Sequence, residues 1–99
     1  MGLFDLLKPK PKDSSLFSGG TGETAENAVV INATSSLQGI PAEYTYVEQH
    51  CGKEDEDWTL DAQMQTSQNG REYDVLTVTL KQGGTRTFWF DITSFYGKF

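Results

Sequence analysis

From Trp58 onward, the chain contains three stretches in which apolar and polar side chains alternate. A period of two places successive side chains on opposite faces of a strand. Turns containing glycine, Asn69-Gly70 and Gly83-Gly84, separate the stretches. The pattern predicts an antiparallel three-stranded meander with one apolar face that another element must cover. The inward residues are Trp58, Leu60, Ala62 and Met64, then Leu76, Val78 and Leu80, then Phe88, Phe90 and Ile92.

The lengths of the two turns follow from which residues must share a face. Directly opposed residues in an antiparallel pair lie on the same face, so a wrong register would set apolar side chains against polar ones. Three-residue loops at Gln68–Gly70 and Gln82–Gly84 avoid this, with glycine in the left-handed position of each loop. The predicted pairs are Trp58–Leu80, Leu60–Val78 and Ala62–Leu76 across the first turn, and Val78–Phe88 and Leu76–Phe90 across the second.

The segment before the meander predicts one strand and one helix. Residues 28–33 form a short apolar run rich in β-branched side chains, which is typical of a buried strand. A helix is predicted from Pro41 to Cys51, because proline suits a first helical position and Gly52 favours a stop. Its predicted inward stripe consists of Ile40, Tyr44, Val47 and Cys51, with Glu43, Tyr46 and His50 on a different side. The fold class expected is α+β, in the order β-α-β-β-β, with the helix on the apolar face of a small, mostly antiparallel sheet.

Residues 1–27 differ in composition from residues 28–99. Proline alternates with lysine over Lys8–Lys12, and glycine is frequent over Ser18–Gly22. We therefore expect a flexible N-terminal segment followed by one α+β domain over residues 28–99. The apolar residues at the start of the segment predict a short contact peptide for a partner groove or an anionic membrane surface; the alternatives are a cover for the chain's own domain or a free tail. These residues are Leu3, Phe4, Leu6 and Leu7.

Composition limits the classes of function. The chain has 99 residues and a formal net charge of −6, so we expect no nucleic-acid partner. No apolar run is long enough to span a bilayer, and contact with a membrane surface would be weak and peripheral. Cys51 and His50 each occur once, which excludes an intrachain disulfide and any zinc motif that needs two of either residue. We expect a cytoplasmic protein without a metal or other cofactor.

The polar face of the meander is the predicted binding surface. A tryptophan among threonines and carboxylates on a sheet face that one helix cannot cover is typical of a binding platform. The alternative is that threonine is there for its strand propensity and that the N-terminal segment or a second copy of the chain covers the tryptophan. The candidate binding residues are Asp61, Gln63, Thr77, Thr79, Thr87, Trp89 and Asp91.

Two other patterns favour structural roles. His50 and Cys51 are adjacent, so on a helix their side chains diverge and the imidazole cannot activate the thiol. The dipole at the helix C-terminus is expected to favour the charged form of His50. The acidic run Glu54–Asp57 lacks the alternate spacing of a calcium loop. Neither pattern predicts a catalytic or metal site.

These observations predict a non-enzymatic protein-interaction module. It would act through the Thr/Trp sheet face, through the N-terminal tail, or through both, on another protein or on a second copy of itself. The alternative is a small-ligand-binding or enzymatic domain that uses carboxylates and Trp89 on the sheet face. A flat or dimer-buried face would favour the first reading, and a concave pocket with convergent carboxylates the second.

Overall fold

The computed structural model describes residues 16–99 of the chain, and the tail residues Leu3, Phe4, Leu6 and Leu7 lie outside them. The described part folds into a five-stranded sheet with one helix, so the predicted α+β class is confirmed. This helix is too short and too polar to span a bilayer. The elements are β1 (Phe17–Gly19), β2 (Val29–Ile31), α1 (Ser36–Cys51), β3 (Trp58–Gln68), β4 (Arg71–Leu80) and β5 (Thr85–Asp91).

The strand order in the sheet is β1-β2-β5-β4-β3. β3, β4 and β5 form the predicted antiparallel meander. β2 pairs with β5 in parallel, and β1 pairs with β2 antiparallel. The parallel pair requires a crossover, which α1 and the meander provide, and this brings α1 over one face of the sheet.

The folded part begins earlier than the boundary at residue 28 that composition suggests. Phe17 pairs with Ile31 and packs edge-on against Tyr46 of α1. The following loop is also tied to the sheet, because Trp89 N donates to the carbonyl of Gly22 at 2.7 Å. Residues 16–27 are therefore part of the described domain. Composition missed this because a three-residue edge strand contains too few side chains to show a period.

The prediction of a three-residue loop at Gln68–Gly70 is wrong. The strand pairing predicted from that loop is nevertheless correct at the end of the hairpin near Trp58. Gln68 pairs directly with Arg71 across a two-residue turn, in which Asn69 and Gly70 have φ values of 52° and 78°. The mismatch between turn and register is absorbed by a β-bulge between Leu60 and Ala62. The pairs Trp58–Leu80 and Leu60–Val78 are confirmed, whereas Ala62 faces Thr77 rather than Leu76.

The bulge inserts one extra residue, Asp61, and so reverses the faces of the rest of β3. Ala62 and Met64 point to the outer face, and Gln63 and Gln65 point toward the helix side. The alternation that sequence analysis extended through Met64 therefore ends at Leu60. Sequence alternation cannot locate a bulge, because the same pairing near Trp58 results from one extra residue in the turn or from one extra residue within the strand.

The second loop is three residues long as predicted, but it occupies Lys81–Gly83. Leu80 N donates to the carbonyl of Gly84 at 2.9 Å, and Thr79 pairs with Thr85. The predicted pairs Val78–Phe88 and Leu76–Phe90 are therefore wrong. The residues on the apolar face of β4 still oppose residues on the same face of β5, because the error is two positions and leaves the faces unchanged, but Val78 meets the exposed Arg86. The observed pairs are Leu76–Phe88, Val78–Arg86 and Asp74–Phe90.

The helix is longer than predicted and is rotated about its axis. It begins at Ser36, with Pro41 inside it. Pro41 is exposed, so water can satisfy the carbonyl one turn earlier that loses its amide partner. Of the predicted stripe, Val47 is buried, Tyr44 and Cys51 are half-buried, and Ile40 is exposed. The buried helix residues are Gly39, Ala42, Glu43 and Val47.

The close contact between α1 and the C-terminal segment explains the rotation. A Cβ atom on Gly39 would lie 2.4 Å from the ring of Phe95, so only glycine allows the helix to approach that ring. The core between α1 and the sheet includes six of the ten inward strand residues predicted, Leu60 and Leu80 are half-buried at its margin, and Ala62 and Met64 lie on the outer face. The buried core residues are Val29, Ile31, Ala33, Ala42, Val47, Trp58, Leu76, Val78, Phe88, Phe90, Ile92 and Phe95.

Candidate functional site

Five of the predicted binding residues remain on the outer face, but their neighbours differ from those predicted. Thr77 lies between Ala62 and Thr87, and its hydroxyl is 3.2 Å from that of Thr87. Thr79 lies between Thr59 and Thr85. Trp89 pairs with Val75 rather than with Thr77. The outer face is thus a surface of threonine rows with the tryptophan at one side.

Trp89 belongs to a second apolar cluster on this face. Its ring meets that of Tyr73 edge-on with centroids 5.7 Å apart, and Ala25 and Ala28 from the loop after β1 pack against the cluster. The side chain is half-buried as a result. The alternative in which an N-terminal segment covers the tryptophan thus applies in part, through residues 20–28.

Asp91 is also on the outer face, and its carboxylate already has partners. Arg71 Nε lies 2.9 Å from one oxygen, and the amide and hydroxyl of Thr93 donate to the other at 3.0 and 2.6 Å. Burial by itself would raise the pKa of Asp91, but the hydrogen bonds from Thr93 and Arg71 lower it below its usual range. This arrangement ties β4 to the segment after β5 and leaves little of the carboxylate free for a ligand.

Asp61 and Gln63 do not join the other candidates. Asp61 is the exposed extra residue at the bulge. Gln63 points to the helix side of the sheet, where its amide contacts Asp74. The seven predicted residues therefore divide among the outer face, the bulge and the helix side.

The helix side contains a concave site that the sequence pattern did not single out. A cavity of about 610 Å³ lies between the first half of α1, the middle of β3 and β4, and the segment after β5. We call it the helix-side groove. Its floor contains the acidic side chains of Glu43 and Asp74 with the amide of Gln63, and Ile92 and Phe95 form an apolar wall. A concave apolar site with a few convergent polar groups is the usual form of a binding pocket.

The two carboxyl groups on the floor are buried side by side. Glu43 is 0% and Asp74 is 2% exposed. Gln63 Nε2 donates to both oxygens of Asp74, at 3.1 and 3.0 Å. Within residues 16–99, no hydrogen-bond donor reaches either oxygen of Glu43, so its remaining neighbour is the carboxyl group of Asp74. A buried carboxyl group without a partner is costly when ionised, so this pair needs either a proton or a cation.

The environment of Glu43 favours its protonated form. Burial, together with hydrogen bonding and charge repulsion from Asp74, raises the pKa of Glu43 to about 10. Both carboxyl groups are acceptors when ionised, so a hydrogen bond between them requires a proton on one. The raised pKa of Glu43 favours a proton on this group.

The mouth of the groove is surrounded by exposed apolar side chains. Leu37 is 83% and Phe99 is 95% exposed, and Ile40 and Tyr96 are about half exposed. We call these four residues the apolar rim. Isolated exposed apolar residues are ordinary, but a contiguous set around a concavity is typical of an interaction site.

His50 and Cys51 lie at the other end of α1, beside Arg86. The His50 ring stacks on Tyr46 with centroids 4.3 Å apart, and Nδ1 lies 3.2 Å from the Tyr46 carbonyl. Partial burial, and then the charge of Arg86, lower the pKa of His50, and both effects oppose the one expected from the helix dipole. Cys51 is half-buried, with Arg86 Nη1 at 3.8 Å from its sulfur.

Part of the groove could have been found from the sequence. Asp74 has the same parity as Leu76, Val78 and Leu80, so the alternation already places a carboxylate on the apolar face. Glu43 could not be found in this way, because the stripe of Ile40 and Tyr44 predicted a different rotation of the helix. Gln63 required knowledge of the bulge.

Comparisons of the chain with protein-family models, with curated proteins and with solved structures find no match. Function is therefore argued from the geometry of the groove and of the outer face.

Proposed function

We propose that this protein is a non-enzymatic interaction module whose helix-side groove binds a segment of a partner protein. The segment proposed has large apolar side chains and a net positive charge. The observation that supports this most directly is the apolar rim around a concavity with two buried acids on its floor. The predicted interaction role is kept, and its principal surface moves from the Thr/Trp face to the opposite side of the sheet.

The rim favours a macromolecular partner over a small ligand. A small molecule in the cavity could contact Glu43 and Asp74, but it would leave most of Leu37 and Phe99 in water, because these side chains are 83% and 95% exposed. A peptide segment can fill the cavity and cover the rim at once, and so removes more apolar surface from water.

Charge favours a basic segment. Among the described residues, no lysine or arginine lines the groove, and residues 28–99 contain ten acidic and five basic residues. Two of those basic residues, Lys53 and Arg71, already pair with Glu56 and Asp91. Charge complementarity would increase the association rate and disfavour acidic partners.

The test is selection of peptides from a random display library on the full-length protein, followed by affinity measurements on the selected peptides. We expect enrichment of sequences that combine large apolar residues with lysine or arginine. Leu37→Asp should weaken their binding by about tenfold or more, because it puts a charge on the apolar rim without disturbing the core. Met64→Asp is the matched control, since Met64 is 54% exposed on the opposite face of the sheet.

Three outcomes would contradict the proposal. Peptides without apolar residues could be selected, or Met64→Asp could weaken binding as much as Leu37→Asp. Alternatively, analytical ultracentrifugation could show a dimer of the wild-type protein that Leu37→Asp converts to a monomer. In that last case the occupant of the groove would be a second copy of the chain.

A further inference from the structure

We infer that Glu43 and Asp74 form a subsite in the groove for one monovalent organic cation, a primary ammonium or a guanidinium group. The inference rests on the proposed binding role of the groove and specifies which part of the ligand is recognised there. It begins from the hydrogen bonds that the two carboxyl groups lack.

The pair has more acceptor capacity than the protein satisfies. Gln63 supplies the amide contacts to Asp74, and no donor from the described residues reaches either oxygen of the fully buried Glu43. An ammonium group brings three donors and a guanidinium group brings five. Either cation could therefore supply the missing hydrogen bonds in a single binding event.

The protein itself does not bring a cation to this position in the part that the structure describes. The groove lining contains no lysine or arginine, and Arg71 is held by Asp91 on the outer face. Lys98, next to two lining residues in sequence, is exposed and is not in the lining. A cation at this position would therefore come from a ligand or from residues outside 16–99.

The number of acidic groups favours a monovalent cation over a divalent metal ion. Residues 16–99 contain no cluster of three or more histidine, cysteine, aspartate or glutamate side chains that could hold a metal. Calcium takes six to eight oxygen ligands, and magnesium holds its water tightly. Two carboxyl groups, of which Glu43 favours its protonated form, do not replace that hydration beside the apolar side chains of Ile92 and Phe95.

The apolar wall also defines what the cation is attached to. Lysine and arginine place an aliphatic stem behind the charged group, and such stems pack along apolar surface. The subsite thus fits a cation on an apolar chain, with the charge at Asp74 and the stem running from Ile92 and Phe95 toward the exposed apolar rim.

The experiment is an NMR titration of the full-length, ¹⁵N-labelled protein with hexylammonium chloride, using 1-hexanol as the neutral probe of similar shape. We expect saturable shifts at the amides of Glu43, Gln63 and Asp74 with hexylammonium, and binding of hexanol weaker by about tenfold or more. Calcium chloride at the same ionic strength should give no saturable shift at these amides. Equal binding of the two hexyl probes, or a saturable calcium site at the pair, would overturn the inference.

Variants separate the role of the charge from effects on folding. Asp74→Asn removes the negative charge and should weaken hexylammonium binding by about tenfold or more while leaving hexanol binding unchanged. If that variant does not fold, Glu43→Gln is the second test: it keeps the Asp74 charge and should retain the preference for hexylammonium over hexanol. Loss of the preference in Glu43→Gln would count against the inference. Asp61→Asn, at the bulge, is the control for loss of a carboxylate outside the groove and should have no effect.

Two further results distinguish the sources of the cation and the two proposals. If replacement of Lys8, Lys10 and Lys12 by glutamine strengthens hexylammonium binding, the chain's own lysines compete for the same subsite, which supports the inference. If library peptides bind through the apolar rim with equal affinity whether or not they contain lysine or arginine, docking at the groove stands and the cation subsite fails. If Leu37→Asp changes no peptide affinity while hexylammonium still binds, the subsite stands and the peptide-binding function fails.

Discussion

The side-chain amide of Gln63 donates to both carboxylate oxygens of Asp74, across two neighbouring strands, at 3.1 and 3.0 Å. Gln63 is paired with Leu76, so its side chain reaches diagonally to Asp74, which lies two positions from Leu76 on the same face of β4. The contact depends on the bulge at Asp61, because Leu60 and Gln63 are three positions apart and in a regular strand would face opposite sides. An irregularity in β3 therefore supports the acidic floor of the groove.

Removal of this amide should destabilise the protein. We expect Gln63→Ala to reduce the free energy of unfolding by about 1–3 kcal/mol, because it leaves a buried carboxylate without its donor. Gln65→Ala is the matched control: Gln65 lines the same groove from the same strand, and its loss should cost less. Urea denaturation at neutral pH measures both, and equal effects would contradict the role assigned to Gln63.

The stability of the protein should fall as pH rises through the neutral range, and Glu43 should be one cause. Its pKa is about 10 in the folded protein against a reference value of 4.5. Between these values the folded state holds more protons than the unfolded state, so the free energy of unfolding decreases with pH by up to about 1.4 kcal/mol per unit. Below the lower value, the group contributes no pH dependence.

Glu43→Gln should remove this dependence. The neutral amide needs no proton, so we expect the variant to be more stable than the wild type at pH 7, by up to roughly 3 kcal/mol, and nearly equal to it at pH 4. Denaturation curves across this pH range provide the measurement. Glu48→Gln, an exposed position on the same helix, is the control. If Glu43→Gln instead lowers the stability at every pH, the prediction is wrong. The carboxyl group of Glu43 would then have a hydrogen-bond or charge partner that the described contacts do not include.

Trp89 should matter for stability as well as for any binding on the outer face. It packs with Tyr73, Ala25 and Ala28, so Trp89→Ala should cost about 2 kcal/mol or more. Thr87→Ala, one of the exposed threonines beside it, should have a much smaller effect. If Trp89→Ala instead unfolds at the same denaturant concentration as the wild type but no longer binds a partner protein, the tryptophan would be a binding residue of the predicted Thr/Trp sheet face.

The turn at Asn69-Gly70 gives a direct test of the observed register. Both residues have positive φ, as hairpin turns of two residues require. A Cβ atom on Gly70 would meet nothing within 4 Å, so the cost of Gly70→Ala comes from backbone strain alone, about 1 kcal/mol. Asn69→Gly should be nearly neutral or slightly stabilising, because glycine adopts positive φ freely. A neutral Gly70→Ala would contradict the positive φ at that residue.

The meander illustrates how far local pattern extends in this chain. Alternation identified the inward residues of β4 and β5 correctly even though the second loop is displaced, because a shift of two positions preserves the faces. It failed beyond Leu60, where a shift of one position reverses them. The apolar pattern therefore predicted faces correctly only where no bulge intervened, and it did not fix the partners, since a shift of two positions changes partners without changing faces.

The groove could be predicted only in part, since its residues come from four separate segments. Asp74 was detectable as a charged residue on an apolar face, but nothing local to Glu43 indicated burial. Its place on the floor follows from the contact between Gly39 and Phe95, which sets the rotation of α1. That contact joins residues more than fifty positions apart, and no local periodicity reports it.

The amino-acid sequence by itself determined the α+β class, the meander and the apolar face that α1 covers, because these depend on the period of side chains along each element. The tertiary structure decided the position of the bulge, the rotation of the helix and the addition of β1 to the sheet. Those features depend on close packing between distant segments, where one glycine against one ring determines which side of a helix is buried. The juxtaposition of Glu43 with Asp74, on which both proposals rest, belongs to this second group.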